Sequence, residues 1–80
     1  MTELRVYVNP LGAGTTDGRV VFYTRRAAGP YYRWHFEEET GAWRASRVGL
    51  SNLTLRALDV SNWQTVPATL QARLLKHYLD

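Results

Sequence analysis

His35 and Glu37 stand two residues apart in the run Tyr31-Tyr-Arg-Trp-His-Phe-Glu37. In a strand that spacing turns both onto one face, where an imidazole and a carboxylate can pass a proton or hold a metal. The surroundings this chemistry needs are thin. The chain has two histidines and no cysteine, too few good ligands for a transition-metal site, and His35 reads as a surface residue opposite Arg44. Ser46, Ser51 and Ser61 have no base at a readable spacing, so nucleophilic catalysis has no support. Gly12-Ala-Gly-Thr-Thr16 follows a strand-like run as a phosphate loop would. It lacks the Lys-Ser/Thr of a P-loop, the third glycine of the dinucleotide fingerprint and a helix after it, and reads as a connector. No catalytic residue, cofactor or metal is expected, and the chain is expected not to be an enzyme.

Tyrosine and arginine point to recognition instead. Nine of the ten cations are arginine, five residues are tyrosine, and the net charge is +3. A planar guanidinium can grip carboxylate or phosphate with two hydrogen bonds, although the coding bias of a GC-rich genome enriches arginine equally well. If the strands alternate regularly, Arg5, Tyr7, Tyr23, Arg25, Tyr31, Arg33, His35 and Arg44 share one sheet face. That face suits two uses. Tyr and Arg carry a disproportionate share of the energy of protein interfaces, so it could bind a protein partner. It could also hold single-stranded or duplex nucleic acid, with tyrosines stacking on bases and arginines neutralising phosphates. The run Glu37-Glu38-Glu39 at the end of the same hairpin argues against an extended polyanion. The plain alternative is a solvated face decorated by residues of good β-propensity or long aliphatic stems.

The elements that position these residues follow from periodicity. Residues 4 to 8 alternate with period two, and Asn9-Pro10 stops the run. Residues 11 to 18 are turn-forming and residues 19 to 25 are β-rich, which predicts a long-looped hairpin. Residues 26 to 30 connect to a second hairpin, 31 to 37 and 42 to 48, whose 38 to 41 loop has Gly41 to supply a left-handed residue. Residues 53 to 60 are ambiguous: the first five alternate, yet Ser51 or Asn52 could cap a helix there. Pro67 opens a helix that runs to Leu79, with Lys76 and His77 in its last turn, where cations suit the helix dipole.

Alternation also sorts the core. Tyr32, Trp34, Phe36, Trp43 and Ala45 fall on one face with Val20 and Phe22 and with Leu4, Val6 and Val8, an apolar layer for the helix to cover. Val21 and Glu37 join the opposite, Arg/Tyr-rich face. On the helix, Leu70, Leu74, Leu75, Tyr78, Leu79, Ala68 and Ala72 spread over roughly 200°. The surplus either meets residues 49 to 64 or is left for a partner, a second copy included. Trp63 is expected to anchor the core, the alternative being an exposed hot spot for a partner, and Arg73, Lys76 and His77 are expected to form the solvated stripe of the helix.

These readings set the expected architecture: one α+β domain over residues 1 to 80, a small antiparallel β-sheet of three to five strands packed on one C-terminal α-helix. Eighty residues are too few for two independently cored units. With 45% hydrophobic and 21% charged residues the composition is globular, not disordered. No apolar run approaches the ~18 residues of a membrane span, and Met-Thr-Glu-Leu-Arg has no secretory-signal character, so a cytoplasmic protein is expected. The functional expectation is a non-catalytic intracellular interaction module. A protein partner or a homo-oligomer comes first and nucleic acid second; no membrane partner is expected.

Overall fold

The computed structural model describes residues 4–9 and 20–79, with nothing stated for the side chain of Leu79. Five antiparallel strands form one sheet: β1 (Leu4–Val8), β2 (Phe22–Arg26), β3 (Tyr31–Glu37), β4 (Ala42–Val48) and β5 (Asp59–Ser61), in spatial order β4-β3-β2-β1-β5. A short helix α1 (Asn52–Arg56) precedes β5, and a C-terminal helix α2 (Ala68–Leu79) follows it. The fold is therefore a small α+β fold. Among the described residues no helix is long and apolar enough to cross a membrane. The glycine-rich connector, Gly12 to Thr16, and Arg19 at the expected start of the second strand lie outside the described residues.

Register is fixed where turn chemistry is unambiguous. Gly41 has φ +68°, the left-handed geometry that the hairpin loop requires, and its N–H donates to the Glu37 carbonyl at 2.8 Å. This pins Tyr31 opposite Val48, Trp34 opposite Ala45 and His35 opposite Arg44. A one-residue slip would carry Trp34 into water. From β3 the register continues through Phe22↔Trp34 and Tyr23↔Arg33 to Tyr7↔Tyr23 and Arg5↔Arg25.

The even-numbered side of β3 is the core, as alternation requires. Trp34, Leu70 and Leu74 are fully buried, and Val6, Phe22 and Val66 complete the cluster, with Leu4, Val8, Tyr32, Trp43, Ala45 and Tyr78 packed around it. Burying side chains of this size contributes ~1.5 to 3 kcal/mol each. The cluster also holds a polar chain. Trp34 Nε1 donates to Thr24 Oγ1 at 2.8 Å, and Thr24 Oγ1 shares a 2.6 Å hydrogen bond with the Tyr78 hydroxyl. Thr24 is fully buried, and this partnering satisfies its hydroxyl. Burial is the main cause that raises the Tyr78 pKa above the usual 10.0.

Several expectations need correction. Val20 is 49% exposed and Val21 only 2%, the reverse of simple alternation. The Asn9 side chain explains it: its Oδ1 accepts from Val21 N–H at 2.6 Å in place of a main-chain carbonyl, and the Asn9 N–H donates to the Val21 carbonyl. Regular pairing ends there, so β2 starts at Phe22 and alternation no longer governs Val20. At its other end β2 extends to Arg26, whose guanidinium donates to the Tyr78 carbonyl at 2.6 Å and so caps the C-terminal end of α2.

Phe36, one residue from the end of β3 at the hairpin loop, is 38% exposed, with the Trp43 ring tilted against it at 5.4 Å. Trp63 is 37% exposed and outside the core; Val66, three residues on, fills that place. Arg73 and His77 are not on the solvated side of α2. The Arg73 guanidinium lies 5.2 Å from the Trp34 ring, and His77 sits edge-on to Tyr32, Trp34 and Tyr78 at 4.7, 5.2 and 4.7 Å. Residues 73 and 77 flank the buried stripe of Leu70, Leu74 and Tyr78, so a helix lying close on an aromatic sheet brings them to its surface. Lys76 is exposed, as expected.

The ambiguous segment contains both structures. Ser51 caps α1, its Oγ accepting from Thr54 N–H at 3.1 Å, and residues 59 to 61 then add to the sheet beside β1. Since β4 and β5 are opposite edges, the chain between them crosses the whole sheet, about 19 Å at the usual strand spacing. Of the surplus apolar arc on α2, Leu75, Ala68 and Ala72 are exposed.

His77 makes stability depend on pH. Burial first, and then repulsion from Arg73, hold its pKa below the usual 6.5. Below 6.5 the unfolded chain therefore binds more protons than the folded one, and the stability present above that value is lost as pH falls toward the folded pKa. The thermal midpoint is expected to drop between pH 7.5 and pH 5, and His77→Gln to flatten that drop. An equal drop in both proteins would contradict it. The Glu37 pKa is also held down, by its hydrogen bond to Arg44, and loses its contribution only below the usual 4.5, a separate window.

Candidate functional site

The face opposite α2 brings the expected residues together. Arg5 and Tyr7 come from β1, Tyr23 and Arg25 from β2, Tyr31, Arg33 and His35 from β3, and Arg44 from β4, all on the odd side of the paired register or cross-strand from it. Glu37 is the one acid that alternation adds to these four arginines. Ser46 and Val48 extend the face along β4, and Val60 extends it on β5.

Half of this surface is organised internally. Arg25 is held three ways: Nε donates to the Gly29 carbonyl at 3.1 Å, a terminal nitrogen donates to the Tyr31 hydroxyl at 3.2 Å, and the guanidinium stands 4.9 Å over the Tyr31 ring. The connecting turn that carries Gly29 and the strand that carries Tyr31 thus fix the arginine from both sides. Tyr7 leans on Tyr31, with centroids 6.4 Å apart and planes tilted by 53°. Arg44 Nε pairs with Glu37 Oε2 at 2.5 Å while much of its side chain stays in solvent. Tyr7, Tyr23, Tyr31, Arg33 and His35 are each half-buried, and Arg5 and Arg44 are exposed.

The chemistry available here is contact and hydrogen bonding. The His35 and Glu37 pair expected on one strand face is diverted, because Glu37 engages Arg44. His35 keeps a buried Nδ1 with no hydrogen-bond partner. Among the described residues no cluster of three His, Cys, Asp or Glu side chains could hold a metal ion. Sequence reasoning missed the tethering of Arg25 by Gly29, since a backbone carbonyl in a connector carries no side-chain signal. Comparison of the chain with protein-family models, with curated proteins and with solved structures found no match. The reading of this face rests on its own chemistry.

Proposed function

We propose that the protein is a non-catalytic cytoplasmic interaction module that binds a protein partner through the Arg/Tyr face of its sheet. The observation that carries this reading is the locked Tyr7, Tyr31 and Arg25 group, standing on a rigid sheet whose other face is already spent on α2. Aromatic and guanidinium groups fixed before binding lose little entropy when they meet a partner, which is what interface anchors require. A chain without cysteine has no disulfide to lose in a reducing compartment.

The same contacts favour protein over nucleic acid. Stacking on bases needs splayed rings, whereas Tyr31 is engaged by both Arg25 and Tyr7. Phosphate neutralisation needs uncommitted cations, whereas Arg25 and Arg44 have internal partners. Titration with fluorescent random-sequence oligonucleotides at low and high salt is expected to show no binding at either. Binding at low salt that weakens with added salt would move the reading to nucleic acid.

A further inference from the structure

We infer that the outer edge of β4 is a docking site for an extended acidic segment of a partner, added to the sheet as a sixth strand. This inference rests on the free edge of β4 and on Arg47, and shares only Arg44 with the Arg/Tyr face. In the sheet order β4 is an edge, so alternate N–H and C=O groups along its seven residues point away from β3 with no neighbouring strand among the described residues. The strand is held in place to receive one. Trp43 Nε1 donates to Thr69 Oγ1 of α2 at 3.0 Å, and β3 pairs with β4 along its full length. The other edge, β5, has only three residues.

Charge selects the occupant. Arg44 and Arg47 are exposed, and β4 carries no acid of its own. They lie three residues apart, so they project on opposite sides of the sheet, Arg44 with His35 and Arg47 with Tyr32. Charged side chains on an edge discourage pairing with like strands. Arg47, and Arg44 through the part of its side chain that pairing with Glu37 leaves in solvent, attract a strand that bears carboxylates. In the antiparallel sense of the rest of the sheet, that strand reads acid, any, any, acid, apolar, the last residue lying opposite Trp43 next to the half-exposed Phe36.

The test uses the capped peptide Thr-Glu-Thr-Val-Glu-Val-Thr, followed by amide shift mapping on the labelled whole chain. Shifts are expected to centre on β4, to weaken with salt and to need about tenfold more peptide in Arg47→Glu. A peptide N-methylated on the residues that would pair keeps both charges but cannot form the ladder, and should not bind. Tyr7→Ala with Tyr23→Ala, on the Arg/Tyr face away from this edge, should bind the peptide normally, which separates this site from the face. Equal binding of the N-methylated peptide, shifts away from β4, or no binding at millimolar peptide would overturn the inference. So would a free chain that is dimeric with its β4 amides already protected.

Discussion

Trp34→Ala is expected to leave most of the chain unfolded at room temperature, seen as loss of the near-ultraviolet dichroism and of a cooperative urea transition. Trp34 is fully buried under α2, with Arg73 over its ring and His77 at its edge. Truncating a buried tryptophan costs ~3 to 5 kcal/mol. Removal of Nε1 also takes away the donor to Thr24, whose hydroxyl is buried with Tyr78 as its remaining partner, and a lost partner of that kind adds ~1 to 3 kcal/mol. A domain of this length holds about 4 to 12 kcal/mol in all. Trp34→Phe keeps most of the ring and loses the donor, so it is expected to fold with a lowered urea midpoint. A Trp34→Ala protein melting cooperatively within a few degrees of the parent would show that the core lies elsewhere.

Replacing Tyr31 and Arg33 together by alanine is expected to weaken partner binding about a hundredfold or more while the domain stays folded. Both side chains lie on the face opposite the core cluster. Loss of Tyr31 also removes two of the three contacts that hold Arg25 and the ring that Tyr7 leans on, so the substitution loosens the preorganised group as a whole. Anchors of this type are worth ~2 kcal/mol or more each, and a hundredfold corresponds to about 2.8 kcal/mol. Stability should fall by only about 1 kcal/mol, the scale of an exposed cross-strand pair. Affinity capture with the parent and the double variant side by side, together with a urea melt of each, reads both quantities. Normal capture by a folded double variant would leave the face without a role.

Much of this architecture was legible because two local signals agreed. Gly41 closes a four-residue loop whose register then dictates which of Trp34 and His35 is buried, and the spacing of Leu70, Leu74 and Tyr78 shows which side of the helix meets that layer. The candidate face followed from parity alone. What was not legible depended on partners distant in sequence. Asn9 replaces a main-chain acceptor with its side chain, which interrupts alternation at Val20 and Val21. Thr24 shares the inward parity of Phe22, but nothing local shows that Trp34 and Tyr78 satisfy its hydroxyl there. Arg73 and His77 look solvated by composition, but the aromatic rings beneath them accept a cation and an imidazole edge. Trp63 has the size of a core residue, and the position went to Val66 because the chain turns through a 3-10 segment at 63 to 65 before α2.

The most direct measurement is a side-chain NMR comparison of the chain alone and saturated with its captured partner, following the tyrosine rings and arginine Nε–H groups. Large shifts at Tyr7, Tyr23, Tyr31 and Arg33, with Leu75 on α2 unmoved, are the predicted result. Shifts confined to α2 and Trp63, with those tyrosines unchanged, would contradict the assignment of this face as the binding surface.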